Sequence, residues 1–241
     1  MNKIDRPIQF IVIRHAESAR NKAKKGSTYF ADDEARKTVK GVPDHDIPLT
    51  DFGREQAEQT GRYLRERFGV PDFVYHSGYV RTIDTKDGIL KAFTPEERAE
   101  IQVRMNVHIR ERDPGYAYDM TTEEAERSFP WLKEYWKTFG GFMARPPGGE
   151  SLCDVALRAR GFYEMIKQRR VGQKVWAVTH GGTIRSLRFE IENWPIERAL
   201  AWPPGQSPKN CGITVYDFNK KSGRLELTEY NTVAWQSQAA A

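Results

Sequence analysis

Residues Phe10 to Ser18 read FIVIRHAES, and this stretch decides the fold. A largely apolar run, Ile8 to Ile13, stops abruptly at Arg14-His15. Ile11, Val12 and Ile13 are β-branched and the run is short, which predicts a buried parallel strand rather than a helix. Arg14 and His15 then stand at its carboxyl end, where open α/β sheets place their ligands. A single Arg-His pair carries little on its own, so the rest of the chain has to supply its partners.

A second strand of the same kind is predicted at Val175 to Val178. It ends at Thr179-His180-Gly181-Gly182 and runs straight into a helix with Ile184, Leu187 and Ile191 on its inner side. Phe73 to Tyr75 reads as a short strand, followed by a turn at Ser77-Gly78 and a helix carrying Val80, Ile83 and Leu90. Asn106 to Ile109 reads as another strand, ending at Arg110-Glu111. Between them, Thr50 is a helix N-cap for Ala57, Gly61, Leu64 and Phe68 at helical spacing, with small residues suited to packing on a sheet; Gly69 and Pro71 end it. Thr121 to Met143 reads as helical and unusually aromatic, its rings assigned to core packing. Ser151 caps an amphipathic helix presenting Leu152, Val155, Ala156, Ala159, Phe162, Tyr163 and Ile166 on one face. Gly212 to Phe218 and Leu225 to Thr228 read as paired strands around a turn at Asn219 to Gly223. The C-terminal QSQAAA is expected to fray. The fold class that follows is α/β: three layers, α/β/α, with a mostly parallel central sheet and a small helical and loop cap over the site.

Composition narrows the function. The 241 residues make one large α/β domain, 1–241, with cap insertions at approximately 22–46 and 112–150. No apolar run approaches the roughly 18 residues that a membrane span needs, and MNKIDRPIQF lacks the features of a signal peptide. Cys153 and Cys211 are far apart and form no CxxC, as expected of reduced thiols in a cytoplasmic protein. The net charge of +5 admits an anionic partner. The basic residues are interspersed with acids, however, so no nucleic-acid partner is expected. Oligomeric state is not legible.

Strand ends in one parallel sheet converge at one edge. That gathers His15, His180, Arg14, Arg81 (one turn after Ser77) and Glu111. The set suits a phosphate monoester: guanidinium groups clamp phosphoryl oxygens and stabilise transition-state charge. A neutral imidazole is a nucleophile toward phosphorus, and a carboxyl group protonates the leaving alkoxide. Gly181 and Gly182 offer backbone N–H groups at a helix N-terminus. The five histidines show no HExxH or Cys/His ligand spacing, so no metal is expected. There is no GxSxG elbow for a serine hydrolase.

In this order the motifs resemble the histidine phosphatase superfamily, the phosphoglycerate mutase-like fold. Its RHGE[ST]xWN motif is similar to Arg14 through Asn21, RHAESARN. Its DxPLTxxGxxQA matches Asp46 to Ala57, and its SxxxRxxxT matches Ser77 to Thr85. PGGES stands at Pro147 to Ser151, with Arg158 at the family's helix position, and Thr179-His180-Gly181 matches the final SHG. The acid segment, Glu111 to Tyr118, matches less closely.

The resemblance implies that His15 is the nucleophile, through a phosphohistidine, and that Glu111 is the proton donor. It further implies that Arg14, Arg81, Asn21 and His180 hold the phosphoryl group, with a backbone donor from Gly181 and no cofactor. Asp113 stands in reserve as donor, and Asn21 has the alternative duty of capping a turn. Ala16 replaces the family's glycine. Arg20 replaces its tryptophan, as a further anion contact or a solvated residue. Mutases of the family resemble ERHYG around the acid and carry an Arg-Arg pair downstream. This chain has ERDPG at Glu111 to Gly115 and no Arg-Arg between Arg112 and Glu150. Hydrolysis of a small phosphorylated molecule is therefore expected over mutase-type transfer, or over a non-catalytic phospho-ligand or RNA-binding role on the same fold.

Overall fold

The computed structural model describes residues 4–26, 28–203 and 205–235. The QSQAAA segment lies outside the described residues. In chain order the elements are β1 (Gln9–Arg14), α1 (Ala19–Lys24), α2 (Asp33–Arg36), α3 (Asp51–Phe68), β2 (Phe73–His76), α4 (Val80–Leu90), α5 (Pro95–Glu100) and β3 (Gln102–Met105). They continue with α6 (Thr122–Ser128), α7 (Leu132–Met143), α8 (Leu152–Arg169), β4 (Lys174–Thr179), α9 (Gly181–Ile191), α10 (Ile196–Leu200), β5 (Ile213–Asn219) and β6 (Arg224–Thr232). The strands form one six-stranded sheet in the order β3-β2-β4-β1-β5-β6. Its first four strands are parallel, and β5 and β6 join antiparallel. The architecture is thus the expected α/β class with a mixed, mostly parallel sheet flanked by helices.

The central strand shows why the sheet is buried on both faces. Along β1, Phe10 and Val12 point into one core with Phe162, Ile166, Ile184 and Leu187 of α8 and α9. Ile11 and Ile13 point the other way, toward Leu64 of α3, Ile89 of α4 and Trp176. Successive side chains of a strand alternate between faces, so a continuous apolar run is what a two-sided burial requires. The register Arg14↔Thr179 between β1 and β4 then brings His15 and His180, the next residue of each chain segment, to the same sheet edge.

Helix signals were legible where caps are local. Thr50 Oγ1 accepts from Gly53 N–H at the start of α3, and Ser151 and Asp154 form a capping box at the start of α8. Gly61 of α3 faces a helix rather than the sheet: a Cβ there would lie 2.4 Å from the Ile89 carbonyl of α4.

Three expectations are corrected. The strand is Gln102–Met105, not Asn106 to Ile109; Val107–Ile109 is a 3-10 turn whose entry Asn106 caps by accepting from His108 N–H at 2.9 Å. An edge strand that is mostly solvent-facing has no apolar pattern to betray it. The helix expected over Thr121 to Met143 is two helices, because Pro130 disfavours helical geometry at Phe129. Its aromatic run is only partly core. Phe142 is buried with Leu152, Ala156 and Trp194, whereas Trp131 and Phe139 are exposed.

The polar stretch after β1 contains α1, α2 and a 3-10 turn at Asp44–Asp46. It is tied to α6 and to the segment before it. Phe30 bridges to Thr121, Arg36 makes a bidentate pair with Glu124, and Tyr118 Oη donates to the Val42 carbonyl at 3.2 Å. No helix among the described residues is long and apolar enough to cross a membrane.

Candidate active site

His15 is buried and locked by its backbone. Its N–H donates to the Thr179 carbonyl at 2.8 Å, and Asn210 Nδ2 donates to its carbonyl at 3.0 Å. Nδ1 lies 2.7 Å from the Ala16 carbonyl, which can only accept, so Nδ1 carries the proton and Nε2 keeps its lone pair. Burial, followed by the charges of Arg81 and Arg14, holds the imidazole pKa well below 6.5. The ring is therefore neutral near pH 7, the form that a nucleophile needs.

His180 follows β4 and is the N-cap of α9. Its Nε2 lies 2.8 Å from Ser77 Oγ, at the end of β2. Its Nδ1 is buried, has no hydrogen-bond partner among the described residues, and stands 3.7 Å from Glu111 Oε2. Burial, then Arg81, His15 and Arg14, also keep this imidazole neutral. The N-cap side chain leaves the first N–H groups of α9, at Gly181 and Gly182, uncapped and beside the cavity.

Glu111 sits on the loop after the 3-10 turn rather than at a strand end. Its Oε1 accepts from Arg112 N–H at 2.8 Å. Burial raises its pKa above 4.5, against the opposing pull of Arg81 and Arg14. The loop is held by a hub centred on Glu150 of the PGGES turn. Glu150 accepts from Arg158 Nε at 2.9 Å, from Arg110 Nη2 at 2.9 Å and from Asp113 N–H at 2.9 Å. Arg158 Nη2 donates onward to the Glu111 carbonyl at 2.9 Å. Burial alone would raise the Glu150 carboxyl, but these partners hold it below the usual carboxylate range. The PGGES turn fits this loop because Gly115, at φ +69°, packs against it: a Cβ there would lie 2.1 Å from the Pro147 carbonyl. Asp113 is consumed in this turn, donating its N–H to Glu150 and accepting from Gly115 N–H at 2.9 Å.

The two arginines differ. Arg14 Nη1 donates to the Pro208 carbonyl at 2.7 Å, and its Nε has no partner among the described residues. Arg81 gives Nη1 to the Asp44 carbonyl and Nη2 to Asp44 Oδ2 at 3.1 Å. Asn21 lines the cavity but also has the capping duty: its Oδ1 accepts from Ser18 N–H at 3.2 Å and from Asn210 Nδ2 at 3.1 Å, which leaves its amide N–H groups for a ligand. Arg20 is not solvated, and its Nη1 has no hydrogen-bond partner among the described residues. It is buried, donates to the Tyr118 carbonyl, and its guanidinium lies 3.4 Å from the Tyr118 ring centroid.

Arg14, His15, Asn21, Arg81, Glu111 and Gly181 thus line one cavity of about 650 Å³, together with Arg20 and the unforeseen Asp44, Arg112, Arg185 and Trp202. Asp44 and Trp202 come from irregular segments whose placement no periodicity encodes. His15, Glu111 and His180 present donor atoms within 4.8 Å of one another, a set that could in principle ligate a metal. The guanidinium groups of Arg14 and Arg81, which already depress both imidazoles, oppose a cation there and favour an anion.

Residues 10–231 match the histidine phosphatase superfamily, branch 1. A 2,3-bisphosphoglycerate-dependent phosphoglycerate mutase of Rhizobium etli is 29% identical over 221 residues, covering 90% of this chain and 94% of that protein. A phosphoglycerate mutase-like protein of Arabidopsis thaliana is 34% identical over 243 residues, covering 94% of this chain and 69% of that protein. Among solved structures, a mycobacterial glucosyl-3-phosphoglycerate phosphatase in complex with inorganic phosphate superposes with a TM-score of 0.68 at 21% identity, covering 94% of this chain and 98% of that one.

Proposed function

The chain belongs to the histidine phosphatase superfamily, branch 1, and from that premise we propose that it is a metal-independent phosphatase hydrolysing a small phosphate monoester through a phosphohistidine at His15. The observation that carries this reading is the 2.7 Å contact of His15 Nδ1 with the Ala16 carbonyl, which assigns the proton to Nδ1 and leaves Nε2 as the nucleophilic atom in an arginine-lined cavity.

The chemistry runs in two displacements. Nε2 of His15 forms a bond to phosphorus while the P–O bond to the alcohol breaks. Glu111, protonated to higher pH than an ordinary glutamic acid, gives its proton to the departing oxygen. Its carboxylate then takes a proton from water, which attacks phosphorus, releases inorganic phosphate and restores His15. Arg14 and Arg81 hold the equatorial oxygens, joined by Asn21, by His180 and by the Gly181 N–H at the N-terminus of α9. With Ser77 donating to Nε2, His180 carries its proton on Nδ1 and donates to the anion without adding charge. The segments 22–46 and 112–150 form the cap of this single domain; Arg20 braces it against Tyr118 and keeps an unpartnered Nη1 in the cavity as a further anion contact.

Hydrolysis is favoured over transfer by the acid loop. Where mutases continue ERHYG, Asp113-Pro114-Gly115 is spent on the Pro147–Glu150 turn: Tyr116 N–H donates to the Pro147 carbonyl at 2.8 Å and Glu150 N–H to the Asp113 carbonyl at 3.0 Å. Mutase-type transfer is the second reading, favoured by the similarity to the Rhizobium etli mutase. Steady-state assays on p-nitrophenyl phosphate and a panel of phosphorylated metabolites separate the two. The phosphatase reading expects release of inorganic phosphate in chelator-treated buffer and inhibition by vanadate; transfer to glycerate without phosphate release would assign the second.

A further inference from the structure

Arg81 is buried, yet both of its terminal nitrogens are turned to one residue, Asp44. Arg14 differs, because its single bond goes to a neutral carbonyl and its Nε is unpartnered among the described residues. Asp44 belongs to the 3-10 turn Asp44–Asp46, whose N-cap is Pro43 and has no side-chain cap. Its carboxylate serves no local capping purpose; it reaches out of its own element to the guanidinium, and it lines the same cavity as His15 and Gly181.

We propose that Asp44 is a resident carboxylate ligand of the phosphate clamp, which an incoming phosphoryl group displaces from Arg81. This rests on the phosphatase reading of Arg81. A carboxylate and a phosphate dianion directed at one guanidinium repel each other, and a bidentate phosphoryl contact needs donors that Asp44 now holds. The clamp therefore binds as a two-state element. Affinity for the phosphoryl group is reduced by the fraction of molecules in which Asp44 occupies Arg81. The reach of the device extends beyond one side chain, since the segment carrying Asp44 is pinned on its other side by Gly41 N–H donating to Asp119 Oδ2 at 3.1 Å and by Tyr118 Oη donating to the Val42 carbonyl. Releasing Arg81 loosens this segment where it meets the site and nowhere else.

The test uses vanadate as the phosphoryl mimic and the full chain. Asp44→Asn keeps the shape and removes the charge, and Asp44→Ala removes the side chain altogether. The expected result is vanadate binding about tenfold tighter in Asp44→Asn, a size typical of coupling between two sites. The gain disappears when Asp44→Asn is made in an Arg81→Ala background. In hydrogen exchange, vanadate speeds exchange of the 44–46 amides in the unmodified protein and leaves the Gly41 amide unchanged, whereas in Asp44→Ala the 44–46 amides exchange fast already and do not respond. Equal or weaker vanadate binding in both Asp44 variants would overturn the inference and make Asp44 a residue that positions Arg81. An unmodified protein that neither binds vanadate nor releases phosphate from any monoester would instead overturn the phosphatase reading, and the inference with it.

Discussion

The rings of His15 and His180 meet edge to face, their centroids 5.2 Å apart at an interplanar angle of 61°. One follows β1 and the other β4, and the parallel register of those two strands fixes the meeting. Both imidazoles are buried, and burial with the neighbouring guanidinium groups lowers both pKa values; under the proposed function the pair would hold a phosphoryl group between a nucleophile and a hydrogen-bond donor.

Glu111→Gln tests the proton donor. The raised pKa keeps Glu111 protonated to higher pH than its ordinary 4.5, and His15 is neutral from well below 6.5 upward. Turnover of esters with poor leaving groups should fall as pH rises through the Glu111 pKa. The variant should lose that limb and turn over poor leaving groups about 10²–10⁴-fold more slowly, with a much smaller effect on p-nitrophenyl phosphate. Equal slowing of both ester classes counts against general-acid duty.

Glu150→Ala tests the hub. It leaves Arg158 and Arg110 without their shared carboxylate and frees the loop that carries Glu111. Stability should drop by about 3 kcal/mol in urea unfolding, as for loss of one partner of a largely buried pair. kcat should fall more for poor leaving groups than for good ones, because the acid is misplaced while His15 is not. A stability loss with kcat unchanged for both would confine Glu150 to folding.

The site was legible in the sequence wherever one short segment encodes both a strand and its end. IVIRH and WAVTH each carry their own burial signal and their own histidine. The caps at Thr50 and Ser151 were equally local. Glu111 was reached through a misplaced strand, since the solvent-facing edge strand Gln102–Met105 has no pattern and the true positioning of the acid comes from Glu150 and Arg158, about 40 residues away in sequence. Asp44 was hidden in a polar stretch whose conformation is set by contacts with Asp119, Tyr118 and Arg81, none of them near it in sequence.

The buried histidines also set a stability profile. Their folded pKa values lie well below the unfolded 6.5, so the unfolded chain binds more protons in acid. Their contribution is complete above 6.5 and is lost as pH falls toward the folded values, with a slope of up to about 1.4 kcal/mol per pH unit for each histidine. Glu111, raised in the fold, acts in the opposite sense as pH rises above 4.5. Thermal unfolding between pH 6.5 and 5 should show the decline, and His180→Asn should flatten it. An unchanged slope in that variant would mean that His180 is not the neutral, buried group described.

The central claim is that His15 carries the phosphoryl group. Rapid acid-free quenching during turnover of p-nitrophenyl phosphate, followed by peptide mass spectrometry, tests it most directly. The account predicts an acid-labile, alkali-stable phosphate on His15 in the unmodified protein and neither label nor turnover in His15→Ala. A label on any other residue, or labelling and turnover that persist in His15→Ala, would contradict it.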